Sequence, residues 1–265
     1  MADQGAAPQA VPATDSQYSL WTMILIWALA TLPMTFLAFY VTPALIKYLE
    51  IPASVPPFLV FWPLMTLGLV WQFILSLIIV YREKGDIHWS TIRQRMWYVK
   101  PKDPRTGKEN IRLLWWAVPF IALSFITMFI PLPDVAAKLF PFVKNLPHYN
   151  IQAVLTPEYR GAWWLLGLTL ITLPFNYFLG EEFLFRGILL PKMKGVFGKW
   201  DWFFNGVFFA FYHLHKPQGV LHQAVFSGLV LSYPARKYRS NWLAVLIHGT
   251  EGLVALILVL KVILG

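Results

Sequence analysis

The chain has 265 residues, 57% of them hydrophobic and only 13% charged, with a formal net charge of +9 and no cysteine. A soluble domain averages about 45–50% apolar and ~25% charged residues, so this composition predicts extensive contact with lipid. The absence of cysteine excludes disulfides, a thiolate nucleophile and cysteine-ligated metals. Most of the basic excess lies in loops beside apolar runs, which favours attraction to anionic lipid and excludes a nucleic-acid partner.

The chain reads as a series of apolar runs, and about 20 apolar residues are enough to cross a bilayer. We therefore predict an all-α, multi-pass transmembrane bundle of about seven to eight helices. Pro33 and Pro43 are expected to kink or end the first helix. The predicted spans are Ser16–Ile46, Ile51–Tyr81, Leu113–Pro133, Gly161–Gly180 continuing to Leu190, Trp202–His215, Pro217–Ala235 and Trp242–Leu260.

Charge in the loops predicts the topology. The segment Arg82–Arg112 carries nine Lys or Arg against four acids, which places it in the cytosol. Alternation of the spans then places the loop at 187–201 and Arg236–Arg239 on the same side, and the loop at 134–160 outside. Residues 1–17 are acidic and contain no Lys or Arg, so we expect a disordered tail rather than a cleaved signal peptide.

Two adjacent glutamates interrupt the fourth apolar run. Glu181 and Glu182 follow an uncharged stretch, and Arg186 comes after three further apolar residues. Charged groups within a membrane are costly and usually functional. Glu182 and Arg186 are spaced i, i+4 and can pair on one helix face, which leaves Glu181 available. The structural alternative is an ion pair at a helix end near the lipid headgroups.

Two histidines lie in later apolar runs. His213 follows Phe209 at i, i+4, and His248 lies within the last run. At a rise of about 1.5 Å per residue, Glu181 and both histidines fall between the cytosolic edge and the midplane. The alternatives are an interface histidine beside His215 and Lys216 at position 213, and a helix-packing hydrogen bond at position 248.

These residue types are suited to hydrolysis. A carboxylate withdrawn from water can act as a general base toward a water molecule. Histidines can donate hydrogen bonds to a developing oxyanion. Two glutamates and two histidines could instead hold a metal that activates the water. The residue types alone leave both mechanisms open.

The motifs resemble the CAAX prenyl protease and bacteriocin-processing family of intramembrane glutamic endopeptidases. They are Glu-Glu-x-x-x-Arg at 181–186, Phe-x-x-x-His at 209–213 and a further helix bearing His248, in that order. The resemblance covers about Gly161 to Leu260. The resemblance implies a catalytic transmembrane core at 113–265, after two transmembrane helices with a basic loop at 18–112.

The resemblance also implies roles for the motif residues. Glu181 would activate the water, and Glu182 would be its partner, held by Arg186. His213 would join the catalytic cluster, with Phe209 packed beneath it.

The last motif departs from the family pattern. His248 would help to form the oxyanion hole, but the family commonly has Asn four residues later, where this chain has Gly252. The loss of one such donor can cost roughly 2.7–4 kcal/mol of barrier. We expect a bound water or Glu251 to compensate.

The predicted function is therefore cleavage of a membrane-tethered, possibly prenylated, peptide or protein from the cytosolic side of a bacterial-type plasma membrane. No cofactor is expected, with zinc as the alternative, and the oligomeric state is left open. The rival functions are a non-catalytic scaffold or immunity protein with the same fold, and a proton-coupled transporter. The absence of internal repeats argues against the transporter.

Overall fold

Helices are the regular elements of this protein. The computed structural model describes residues 16–131, 133–218 and 220–265. Within these ranges there is no β-strand, and one isolated bridge joins Lys102 to Glu109. The predicted all-α class is confirmed. The predicted tail at 1–17 lies outside the described residues, apart from Ser16 and Gln17.

The helices follow the apolar runs of the sequence. Four of them are long and apolar enough to cross a membrane, namely the first, second, fifth and eighth below. The sixth is about 18 Å long, well short of a ~30 Å hydrocarbon core. In chain order the main helices are α1 (Leu20–Tyr48), α2 (Phe58–Lys84), α3 (Trp89–Arg95), α4 (Ala117–Met128), α5 (Trp163–Lys192), α6 (Asp201–Tyr212), α7 (Val220–Val225, continued by Phe226–Ser232 and Tyr233–Tyr238) and α8 (Trp242–Leu264). Two short helices, Val135–Leu139 and Lys194–Phe197, are left unnumbered.

The first helix does not end at either of its prolines. It continues past Pro33 and Pro43 to Tyr48, with a π-helical turn at Leu37–Val41 between them. Proline cannot donate a backbone hydrogen bond, so a local change of hydrogen-bond pattern is the expected response. The Leu37 carbonyl accepts from both the backbone N–H and the hydroxyl of Thr42, the latter at 2.8 Å.

The fifth helix is irregular where it carries the two glutamates. It is α-helical to Pro174, forms a π-helical turn at Phe175–Leu179, and becomes π-helical again at Phe183–Leu189. Between these turns, a Cβ on Gly180 would lie 2.5 Å from the Phe175 carbonyl oxygen and 3.1 Å from that of Leu69 in α2. Only glycine allows α2 to come this close. Such π-turns are frequent at functional sites.

The basic loop after α3 folds back onto the helices that carry the site. Tyr98 is buried, and its ring centroid lies 5.1 Å from that of Phe183, 5.2 Å from Phe178 and 5.1 Å from Trp242. These aromatic contacts connect the loop to α5 and to the start of α8. The loop thus packs beside the segment that holds the glutamates.

Candidate active site

Glu182, Arg186 and His248 form one buried cluster. Glu182 and Arg186 have no exposed surface, and Arg186 Nη1 donates to Glu182 Oε1 at 3.2 Å. His248 Nδ1 lies 2.9 Å from the same oxygen. Because the Glu182 carboxylate already accepts a hydrogen bond from Arg186, we treat it as the acceptor toward His248 as well. We therefore assign the proton to His248 Nδ1. The arrangement holds α8 against α5 through a single carboxylate oxygen.

The other imidazole nitrogen of His248 faces two further carboxylates. Its Nε2 lies 3.9 Å from Glu181 Oε2 and 3.8 Å from Glu251 Oε2. The side chain of Glu181 is almost fully buried, whereas that of Glu251 is partly exposed. The structure therefore brings all three predicted glutamates to one histidine.

Two residues outside the predicted set extend the site beyond Glu181. The Tyr212 hydroxyl faces the Glu181 carboxylate and accepts a hydrogen bond from Gln72 Nε2 at 2.8 Å. Both residues are fully buried. Two sequence signals could have found them: Gln72 is a lone amide in the second apolar run, and Tyr212 directly precedes His213.

Phe209 packs against Arg186 and against both histidines of the site. The Arg186 guanidinium carbon is 4.2 Å from the Phe209 ring centroid, a cation–π distance. The rings of His213 and His248 meet the same phenyl ring edge-on, at centroid distances of 4.7 and 6.1 Å. The predicted residues on α5, α6 and α8 thus converge on one aromatic ring.

His213 is held in one tautomer by its own helix. Its Nδ1 lies 2.8 Å from the Phe209 carbonyl oxygen, which can only accept, so Nδ1 carries the proton. The Nε2 atom of a neutral His213 is then an acceptor. The residue type alone suggests that His213 donates a hydrogen bond to an oxyanion. The geometry instead suits its Nε2 to accept a hydrogen bond from a water molecule.

A cavity of about 420 Å³ adjoins the cluster. It lies between α2, α5 and the loop at 148–151, and Tyr177 and Lys216 are among its lining residues. Lys216 is exposed to it, and its ammonium group faces the carboxylates of Glu181 and Glu251. From its place in the sequence, Lys216 is predicted to be an interface residue only.

The space beside Gly252 is already filled, so a side chain at this position would collide with its neighbours. A Cβ at this position would lie 2.6 Å from Tyr177 Cε2 and 2.9 Å from Leu173 Cδ2. The Tyr177 ring fills this space and meets the His248 ring edge-on at 4.7 Å. The glycine is thus required by packing, and the space that we expected a water to occupy is taken by Tyr177.

Several polar atoms of the cluster lack a partner. Within the described ranges, Glu182 Oε2 and the Nε and Nη2 atoms of Arg186 are buried without a hydrogen bond. Buried donors of this kind are rare in folded proteins and are suited to binding a reacting group. No set of three or more His, Asp or Glu residues among those described is arranged to hold a metal ion. The metal-free mechanism stays a prediction.

A comparison with protein families identifies the region that carries this cluster. A family model described as "Rce1-like: Type II CAAX prenyl endopeptidase Rce1-like" matches residues 160–254, a range that includes every predicted site residue. No curated protein and no solved structure matches the chain. The resemblance to the CAAX protease family is thus confirmed over residues 160–254.

Proposed function

We propose that this protein is an intramembrane endopeptidase that hydrolyses a peptide bond of a membrane-tethered peptide or protein. One observation carries the proposal: His248 bonds to Glu182 and faces Glu181 and Glu251 within a buried cluster. A structural ion pair at a helix end would need only Glu182 and Arg186. The match to a prenyl endopeptidase family supports the same class of reaction.

In the proposed mechanism, Glu181 is the general base. It takes a proton from water while the water oxygen attacks the peptide carbonyl, and it later returns that proton to the leaving amine. His213 Nε2 accepts a hydrogen bond from the same water and orients it.

The remaining polar groups act on the oxyanion. Glu182 fixes His248 and Arg186 through one oxygen, in a site from which water is largely excluded. Because the Nδ1–H of His248 donates to Glu182, His248 acts here as the doubly protonated imidazolium, and its Nε2–H, which faces Glu181 and Glu251, is the donor to the oxyanion. Fixed donors in such a site stabilise developing negative charge strongly. The Lys216 ammonium adds positive charge at the cavity end of the cluster.

We further propose that the substrate carries a prenyl group and is cleaved on the cytosolic side of a plasma membrane of bacterial type. The family description supports the prenyl group. The excess of Lys and Arg in the segment 82–112 supports the cytosolic orientation.

The test compares Glu181→Gln with the unmodified protein on a prenylated reporter peptide. The substitution keeps the side-chain volume and removes the base, so kcat should fall by about 10²–10⁴-fold. The matched control is Glu158→Gln, an exposed glutamate of the loop before α5, and it should leave kcat unchanged. Equal cleavage by Glu181→Gln and the unmodified protein would remove Glu181 from the catalytic role.

The metal-free mechanism is tested separately. Dialysis against a chelator should leave peptide cleavage unchanged, whereas loss of activity that zinc restores would require a metal. Gly252 supplies no side-chain donor, which would also fit a non-catalytic scaffold with the same fold. The close packing of Tyr177 gives this glycine a steric explanation that does not depend on activity.

A further inference from the structure

A second polar cavity lies apart from the proposed active site, where several helix ends meet. Its volume is about 210 Å³, and its lining includes four cationic side chains and one carboxylate. The cations come from the end of α3, the segment after α5 and the end of α7, and the acid begins α6. The charged lining residues are Arg95, Lys194, Asp201, Arg236 and Arg239.

Two of the four cations have ionic partners. Arg95 pairs with Glu83, and Arg236 pairs with Asp201. Asp201 also accepts a hydrogen bond from the Trp202 backbone N–H at 2.8 Å. Both acids are thus engaged by arginines.

The other two cations, Lys194 and Arg239, have no hydrogen-bond or ion-pair partner among the described residues. Both are exposed. The cavity therefore carries a net positive charge that its own carboxylate does not balance.

The wall of the cavity is formed by ordered backbone. Arg239 and Trp97 adopt positive φ angles of 48° and 59°, which are uncommon for residues other than glycine. The Trp97 carbonyl accepts the Asn241 backbone N–H at 2.8 Å, which connects the two segments. The position of Arg239 is thus fixed by its neighbours.

We infer that this cavity binds a phosphate group, either that of an anionic lipid headgroup or free phosphate. Arginine and lysine side chains are the usual ligands of phosphate, and arginine binds it through a planar fork. Cationic residues at the ends of membrane spans lie at the depth of lipid headgroups. A concave site with two unpaired cations distinguishes this cavity from the exposed charges of the loop at 100–112.

Occupation of the cavity would also hold the end of the helix that carries the glutamates. Arg95 donates to the carbonyl oxygens of Gly187 at 3.1 Å and Ile188 at 3.3 Å, directly after Arg186. A bound phosphate beside Arg95 would therefore stabilise the packing of this segment. This effect does not depend on the proposed peptidase activity.

The experiment titrates the full-length protein in a neutral detergent with dioctanoyl phosphatidylglycerol and, separately, with inorganic phosphate. Dioctanoyl phosphatidylcholine is the reference lipid. The readouts are the thermal unfolding midpoint and the apparent Kd. The test variant is Lys194→Gln/Arg239→Gln. The matched control, Lys100→Gln/Lys108→Gln, removes two exposed cations of the basic loop outside the cavity.

The unmodified protein should show a saturable rise in its unfolding midpoint with the anionic ligand. Each cation near a lipid headgroup contributes to the free energy of binding. Removing both cations should therefore raise the Kd for the anionic ligand roughly thirty-fold. The loop control should stay within about twofold, because screened charges at a distance contribute little. Both variants should unfold like the unmodified protein in phosphatidylcholine.

Stabilisation by inorganic phosphate identifies the ligand as free phosphate, and stabilisation by phosphatidylglycerol alone identifies a headgroup. Either result supports the site if Lys194→Gln/Arg239→Gln raises the Kd for that ligand and the loop control does not. Equal losses in the two double variants would show diffuse attraction to lipid and overturn the proposal. The absence of any saturable effect of either ligand would overturn it as well.

Discussion

Replacing Gly252 by alanine tests whether the space beside His248 is filled. The new methyl group would lie 2.6 and 2.7 Å from two carbon atoms of the Tyr177 ring and 2.9 Å from Leu173 Cδ2. Contacts below 3.0 Å force movement, and here the ring cannot move away without leaving His248. Overpacking of this kind costs about 1–3 kcal/mol of the free energy of unfolding.

A second glycine of the same helix gives the matched control. A Cβ on Gly249 would have no neighbouring atom within 4 Å, so alanine fits there without strain. Alanine in place of glycine within a helix stabilises by roughly 0.5–1 kcal/mol. This gain applies to both substitutions, so the difference between Gly252→Ala and Gly249→Ala isolates the steric cost of about 1–3 kcal/mol.

The assay is denaturant unfolding in detergent, combined with cleavage of a reporter peptide. Gly252→Ala should unfold more easily than Gly249→Ala and should lower kcat, because a displacement of about 1 Å at a catalytic group can cost ~10²-fold. Gly249→Ala should keep full activity. Equal stability and activity of the two variants would refute the packing of Tyr177 against position 252.

Two further predictions concern buried polar groups. Arg186→Met should lower the free energy of unfolding by about 3–5 kcal/mol, because it leaves the Glu182 carboxylate buried without its arginine. Unfolding measurements should show that a second change, Glu182→Leu, recovers much of this loss, and an additive loss in the double variant would contradict it. Tyr212→Phe removes the acceptor of Gln72 Nε2 and should cost about 1–3 kcal/mol, again measured by unfolding. It should also lower peptide cleavage, because the hydroxyl faces Glu181, and unchanged kcat would exclude Tyr212 from the site.

Much of the site was predictable because its contacts are local in the chain. The i, i+4 spacing placed Arg186 on the same helix face as Glu182, and the two side chains bond in the structure. The same spacing placed Phe209 against His213. Long apolar runs likewise predicted the four helices that are long and apolar enough to cross a membrane, but the other three predicted spans are not among such helices in the described part of the chain. Contacts of this kind depend on helix geometry, which the order of residues alone sets.

Contacts between helices depend on how each helix is rotated about its axis and on how closely neighbouring helices approach. Residue order does not specify either quantity. The hydrogen bond between His248 and Glu182 spans 66 positions, and that between Gln72 and Tyr212 spans 140. Tyr177 fills the space beside Gly252 because π-turns in α5 alter which side chains face α8. Residue order was therefore enough to show which polar groups interrupt the apolar helices and which neighbours on one helix can pair. The meeting of groups across helices came from the folded arrangement, because packing sets the rotation and separation of each helix.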